Sequence, residues 1–269
     1  PFSIMKFFGK KSFDDYWLDS GPPSFLAKLI AKNPDSFIFS QPLKSSKRSL
    51  RAFIPGGVSP IPILFQTGYL TLSGVSWDNE KAPYSLKIPN MEVERGYPKA
   101  FYQAYFGEED TEELILTGEK FQTAVMNGCA DAIEKIFEDA LSRLSSELRI
   151  ALEKYYHSII HTYILALGID VRSQVSSSKG ISDIVLELPK NVYVIIEIKF
   201  SPDPNTSELS LTDKSEKARI LAQKGLKQIE EKEYSKQYKL KAKKIIEIGL
   251  GVFGRSKVVA LIRNAKTTS

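Results

Sequence analysis

Two carboxylates and a lysine interrupt the most apolar part of the chain. In Val194-Ile195-Ile196-Glu197-Ile198-Lys199-Phe200 they break a run that otherwise belongs at the centre of a sheet. Strand side chains alternate between faces, so Glu197 and Lys199 point to one side while Ile196 and Ile198 point to the other. The preceding apolar stretch carries Asp183 between Ser182 and Ile184-Val185-Leu186, where a neighbouring strand brings its carboxylate toward Glu197. Hard oxygen donors of this kind suit Mg²⁺ or Mn²⁺, with water and a substrate phosphate completing the shell. Such an ion lowers the pKa of bound water and neutralises charge on phosphoryl oxygens. Lys199 can orient the attacking water or stabilise the phosphorus transition state. The chemistry this pattern points to is metal-assisted phosphodiester hydrolysis; the competing reading is a partly buried ion pair that satisfies only itself.

The elements that must position these residues follow from periodicity. Ser146 to Leu167 reads as one long helix stopped by Gly168. The period then changes to that of strands at Asp170–Val175, Ser182–Leu188 and Tyr193–Phe200, with turns at Gly180 and at Pro189-Lys190-Asn191. A polar loop from Ser201 to Thr212 leads into a basic helix from Asp213 to Tyr234, and strands at Lys244–Phe253 and Ser256–Ile262 follow. Helix, three strands, helix, strand, strand is an α/β order with a mixed sheet.

Ahead of this region the pattern is looser. Helical stretches are expected at Ser3–Phe8 and Ser24–Lys32, with a cap at Ser12 or Asp14 and a break at Gly21-Pro22-Pro23. Thr67–Leu72 and Tyr84–Ile88 alternate like a hairpin turned around Ser76–Ala82, the mark of a small winged-helix-like unit; such wings can read DNA, but the few basic residues between Pro55 and Pro98 favour a packing role. Glu112 to Leu167 is helical in spacing, with breaks expected at Gly118 and at Ser145-Ser146, and the acidic run Glu108 to Glu113 reads as a hinge. The expected organisation is thus residues 1–110, a helical connector over 111–145, and an α/β domain over 146–269.

Composition bounds the rest. With 269 residues, 42% hydrophobic and 26% charged, the chain suits two compact, soluble units and excludes wholly disordered, collagenous or membrane-embedded classes. No apolar run reaches the ~18–20 residues that span a bilayer. The single Cys129 excludes an intrachain disulfide, and with only His157 and His161 beside it no structural Cys/His zinc site is possible; a reducing cytoplasm fits. The net charge of +5 is unevenly spread: Lys214 to Lys257 holds eleven Lys and two Arg against five Glu, a net of +8, so the remainder carries −3. That basic stretch is either a solvated helix face or a surface for a polyanion. The opening Pro1, without a signal-peptide pattern, suggests a piece cut from something longer.

Asp183 followed by Glu197-Ile198-Lys199, within the helix and strand order above, resembles the PD-(D/E)XK nuclease signature. The wider string of Tyr155-Tyr156-His157-Ser158, Gly180-Ile181-Ser182-Asp183, Gln228-Ile229, Tyr234 and Ile248-Gly249-Leu250 is similar to the nuclease domain attached to AAA-ATPase-like proteins of bacteria and archaea. Pro1-Phe2-Ser3-Ile4, Tyr16-Trp17, Phe65 to Thr71 and Ile88 to Val93 resemble the end of the ATPase-like region of those proteins. The resemblance implies a restriction-endonuclease-like αβββαβ core, Asp183 and Glu197 as Mg²⁺ or Mn²⁺ ligands, Lys199 as catalytic, and nucleic acid, DNA foremost, as substrate. It also implies an AAA-ATPase-like domain upstream in a longer parent. Many relatives have Arg at the position of Ile181 and Glu at that of Gln174, so a first metal is better provided for than a second.

Accessory residues carry alternatives. Glu153, one turn before His157, either completes the metal site, as a helix Glu does in that superfamily, or is simply solvated. Gln228 either contacts the metal water or a phosphate, or is a surface amide. His157 and His161 have the spacing of a zinc protease but lack its glutamate. Lys224, Lys227, Lys241, Lys243 and Lys244 are placed to flank the cleft and bind phosphates, while Tyr234 and Tyr238 are base-stacking or core aromatics. No phosphate-loop string occurs, so ATP hydrolysis is not expected of this chain. The alternative to a nuclease is a fold-retaining module that binds nucleic acid or a protein partner without cleavage.

Overall fold

A computed structural model of the chain describes residues 43–51, 61–76, 83–90, 111–144, 153–169, 171–177, 179–202 and 209–265, with a few isolated positions. The expected elements of the first 32 residues, the break at Ser145-Ser146 and Glu108 to Asp110 of the acidic run lie outside the described residues. The chain divides into two compact units, Pro1–Gly107 and Glu108–Ser269.

In the first unit, strand β1 (Leu43–Ser45) is followed by helices α1 (Lys47–Arg51) and α2 (Ile61–Gln66) and by the hairpin β2 (Thr71–Val75) and β3 (Tyr84–Lys87). The antiparallel sheet has the order β1-β3-β2. The hairpin forms, but its first strand starts at Thr71 rather than Thr67. Gly68 adopts φ +84° and the Tyr69 amide donates to the Leu64 carbonyl at 2.8 Å, so Thr67 to Leu70 close the end of α2 instead.

The second unit opens with helices α3 (Thr111–Asn127), α4 (Ala130–Ser142) and α5 (Glu153–Ala166). The helix break expected at Gly118 does not occur. There the glycine lets backbone approach backbone, because a Cβ would collide with the Leu167 carbonyl oxygen. The break falls at Gly128, where φ is +68° and the Cys129 amide returns to the Ala124 carbonyl. Phe121 of α3, Phe137 of α4 and Tyr163 of α5 then meet ring against ring, with centroids 5.6 and 6.3 Å apart in succession.

The sheet that follows comprises β4 (Val171–Ser177), β5 (Gly180–Leu188), β6 (Val192–Ser201), β7 (Lys244–Phe253) and β8 (Lys257–Ala265), in that spatial order. Only β6 and β7 are parallel, and helix α6 (Leu211–Glu231) makes the crossover between them. Ser210 starts α6 with a reciprocal cap: its hydroxyl accepts from the Asp213 amide and the Asp213 carboxylate accepts from the Ser210 amide. The helix lies directly on β7, because a Cβ at Gly249 or Gly251 would strike the Ala222 or Ala218 carbonyl oxygen. Glu197 pairs with Gly249 and Lys199 with Gly251, so both site residues face α6. The opposite face meets α5, where Tyr156 stacks on Phe200 at 4.1 Å.

The outer edge of β8 is covered from α4. Glu134 accepts from the Ala260 amide at 2.9 Å, and Glu138 accepts from the Val258 amide at 3.0 Å while pairing with Lys257. Residues four apart on one helix face thereby cap two amides of an edge strand. No helix among the described residues is long and apolar enough to cross a membrane.

Candidate active site

The strand register brings Asp183, Glu197 and Lys199 together. The Asp183 amide lies 3.4 Å from Glu197 Oε2, and the Ile198 amide donates to Asp183 Oδ2 at 2.9 Å. Lys199 Nζ donates to Glu197 Oε1 at 3.1 Å. The Glu197 side chain is only 1% exposed against 20% for Lys199, so the lysine is the group of this pair that reaches toward solvent. Burial, and then the charge of Asp183, push the Glu197 carboxyl up to about 7, with Lys199 opposing the rise. The Lys199 contact therefore offsets only part of what burial and the Asp183 charge do to this carboxyl.

Gln228 joins them from α6. Its Nε2 donates to Glu197 Oε1 and lies 3.2 Å from the Tyr234 hydroxyl oxygen. The residue is therefore neither a surface amide nor aimed at solvent; it orients the carboxylate. Tyr234, expected within the basic helix, lies beyond its end. Glu233 takes φ +51° and the Tyr234 amide donates to the Ile229 carbonyl at 3.2 Å, which turns the ring back beneath α6. Tyr234 is buried, burial raises its hydroxyl pKa, and a Cβ at Gly180 would sit 3.1 Å from that hydroxyl. Its place in the site was hidden because no glycine marks the helix end.

The other accessory residues separate. His157 Nε2 lies 3.1 Å from the Asp183 carbonyl oxygen, a bond that ties α5 to the site strand with the ring nitrogen donating. His161 stacks against His157 with centroids 6.4 Å apart, and burial followed by the charge of His157 pushes it down to about 3. Glu153 is the first residue of α5, and its side chain lies outside the described residues. Ser173 pairs with Ile184 and Val175 with Ser182, so the register position of Gln174 is across from Asp183; its side chain is likewise not described.

Lys224 and Lys227 are exposed on α6, with Lys227 paired to Glu231 at 3.5 Å. The remaining lysines stand elsewhere. Lys244 pairs with Val192, five register steps before Glu197 on the same strand pair, and its Nζ donates to the Met126 carbonyl. The Lys243 amide bonds to Asn191, and Lys241 Nζ lies 4.9 Å from the Tyr193 centroid and 5.1 Å from that of Tyr238. This cluster occupies the far end of the sheet instead of flanking the carboxylates.

One carboxylate was missed altogether. Glu247 is buried on β7, accepts from Ser235 Oγ, and receives Arg263 Nε at 2.7 Å, while Arg263 also bonds Glu230 at 2.8 Å. The signal was present as a lone Glu in the apolar run Ile245-Ile246-Glu247-Ile248.

A hard divalent cation requires oxygen donors whose mutual repulsion it relieves. Asp183 beside the raised Glu197 has that chemistry, and these two residues fit Mg²⁺ or Mn²⁺. Among the described residues no cluster of three or more His, Cys, Asp or Glu side chains is arranged around an ion position.

A helix, three antiparallel strands, a crossover helix and a parallel fourth strand, with a carboxylate pair and a lysine on the inner strands, define a restriction-endonuclease-like α/β fold. Residues 151–260 match the family model described as PD-(D/E)XK nuclease superfamily, and this stretch is a domain of that superfamily. Nucleases of the superfamily generally use divalent metals. Over 254 residues the chain is also 26% identical to an "Uncharacterized protein in vnfD 5'region" of Azotobacter chroococcum mcd 1. That match covers 93% of this chain and 46% of the relative, so the chain spans about half the length of the curated protein it matches.

Proposed function

We propose that the chain is a metal-dependent nuclease that hydrolyses phosphodiester bonds of nucleic acid, with DNA as the favoured substrate. The observation that carries the reading is the buried Glu197 carboxylate, raised to about 7 beside Asp183 and in contact with Lys199, within a nuclease-superfamily domain. Asp183 and Glu197 would hold Mg²⁺ or Mn²⁺, which when bound supplies an acidified water and charge neutralisation at the scissile phosphate. The chain's own residues do the positioning. Gln228 and the Asp183 amide fix the two oxygens of Glu197, the Ile198 amide fixes Asp183, and Lys199 offers its ammonium to the attacking water or to the developing phosphoryl charge. Lys224 and Lys227 on α6 are candidates for phosphate contacts, with the more distant Lys241, Lys243 and Lys244 less suited to them.

The test is cleavage of single-stranded, duplex and branched DNA, and of RNA, with Mg²⁺ or Mn²⁺, by the wild type and by Asp183→Ala, Glu197→Ala and Lys199→Ala. The expected result is loss of metal-dependent cleavage in the first two and a strong reduction in the third. Cleavage that survives in all three variants would sink the assignment.

A second reading, a fold-retaining module that binds without cleaving, is favoured by one feature: Glu197 Oε1 already receives both Lys199 and Gln228. It predicts salt-sensitive binding with no turnover in the same assay. The proposal extends to a longer parent with an AAA-ATPase-like region, supported by the resemblance of the residues before Thr111, and to a winged-helix-like first unit, supported by its strand, two helices and hairpin with the order β1-β3-β2. Nucleotide binding by a full-length parent would test the first of these.

A further inference from the structure

The first unit has a basic surface of its own. From Phe37 to Trp77 the chain contains no Asp or Glu, and its four cations, Lys44, Lys47, Arg48 and Arg51, fall within eight residues. The fold turns all four outward. β1 holds Lys44 exposed beside the buried Ser45. Ser46 then caps α1, its hydroxyl accepting from the Ser49 amide at 3.1 Å and its carbonyl from the Leu50 amide at 3.0 Å. Leu50 is buried, and Gln66 of α2 donates to the Leu50 carbonyl at 3.0 Å, so the helix is fixed about its axis. At ~100° per residue, Lys47, Arg48 and Arg51 share an arc of about 100°. All three are exposed, and none of the four cations has an acidic partner among the described residues.

We infer that β1 and α1 form a second nucleic-acid surface, in which Lys44, Lys47, Arg48 and Arg51 take backbone phosphates without reading base sequence. The inference rests on the nucleic-acid reading of the second unit. Arginine forks match phosphate oxygens, and four exposed cations within eight residues complement a polyanion. The neighbouring helix α2, Ile61-Pro62-Ile63-Leu64-Phe65-Gln66, carries no charged residue, and its one amide side chain is engaged at the Leu50 carbonyl, which favours contact with phosphates over base edges. The arc of α1 carries no exposed apolar side chain of the kind that holds a helix in a lipid interface.

The experiment measures binding of the full chain to a labelled DNA duplex in EDTA across a salt series. It uses the wild type, the pairs Lys44→Ala/Lys47→Ala and Arg48→Ala/Arg51→Ala, and the quadruple variant. Each lost phosphate contact makes the slope of log K against log salt shallower by about 0.9, so the quadruple variant should lose about 2–4 from the slope and each pair part of that. The thermal midpoint, which exposed side chains leave unchanged, reports folding. Wild-type slopes in all three variants overturn the inference. So does loss of binding to phosphatidylserine vesicles with duplex binding intact, which assigns the surface to lipid. If the wild type fails to cleave yet these variants bind DNA more weakly, the catalytic reading falls and this surface stands. If the wild type cleaves and the variants bind as it does, the reverse holds.

Discussion

Glu197 and Glu247 sit at the same place in two copies of Ile-Ile-Glu-Ile on adjacent parallel strands, and the register sets them two steps apart on one face of the sheet. Their surroundings differ. Glu247 is closed off by Ser235 and by two nitrogens of Arg263, whereas Glu197 is held by Lys199 and Gln228 with the charge of Asp183 beside it. One motif thus yields a carboxyl group locked by a serine and an arginine and another that burial holds toward its protonated form.

The burial of Glu197 fixes a pH dependence. In the metal-free protein Glu197 keeps its proton to about 7, against an ordinary value of 4.5, so the folded state binds more protons than the unfolded state between those limits. Stability from this group is complete below the unfolded value and is lost as pH rises toward 7, on the order of 3 kcal/mol in total. Glu197→Gln should remove that loss and be more stable than the wild type at pH 8 in EDTA, though inactive. Denaturant unfolding of both proteins at pH 5 and pH 8 checks it. Equal losses in the two proteins would mean that Glu197 is not the source.

His161 works in the opposite sense. Held down to about 3 against 6.5, it stays neutral in the folded state while the unfolded state takes up a proton, so its stabilisation is present above 6.5 and is lost as pH falls toward 3. The slope is at most about 1.4 kcal/mol per pH unit. His161→Phe should flatten the acid limb of the stability profile, measured by unfolding over that range. Because the two effects oppose each other between 4.5 and 6.5, each is read from its own variant against the wild type and not from the wild-type curve alone.

Gln228→Ala removes a donor from Glu197 and separates Tyr234 from the site. Loss of an orienting partner of this kind costs ~10–100-fold in activity or metal affinity. Tyr234→Phe, which deletes one hydroxyl, should cost about 1 kcal/mol or less. Steady-state cleavage at saturating and limiting Mn²⁺ distinguishes rate from metal affinity; unchanged activity in Gln228→Ala would leave the amide with a packing role only.

Gly249→Ala and Gly251→Ala each drive a methyl into a carbonyl of α6. Overpacking against backbone that cannot yield should destabilise by about 3 kcal/mol or more. The same helix carries Gln228, so whatever of the protein remains folded should also lose activity. Thermal unfolding and cleavage on the soluble fraction provide the check.

Much of the second unit was legible because its strands are short apolar runs and its carboxylates stand out within them. Asp183, Glu197 and Lys199 could be paired from alternation alone. What could not be read depends on contacts between distant segments. Gly118 looks like a helix breaker in sequence and is a close contact with Leu167 in space. Tyr234 is turned into the site by a left-handed Glu233, which Lys179 and Lys236 accompany as ion-pair partners, and no local pattern announces a glutamate in that conformation. The lysines at 241 to 244 are close to α6 in sequence yet lie at the wrong end of the sheet, because a parallel crossover returns the chain to the start of its neighbouring strand. Charge counted along a sequence carries no information about which end of a strand it reaches.

The grip of Glu134 and Glu138 on β8 bears on how the protein can be dissected. A fragment trimmed to the family match at residues 151–260 would retain the strands of the candidate site but discard α4. The Val258 and Ala260 amides would then be offered to any passing strand, and the trimmed protein should self-associate through that edge. Light scattering on fragments beginning before Thr111 and after Ser142 would show it, the longer remaining monodisperse where the shorter forms multimers. An inactive short fragment would therefore report the loss of its edge cover before it reported anything about the chemistry of Glu197.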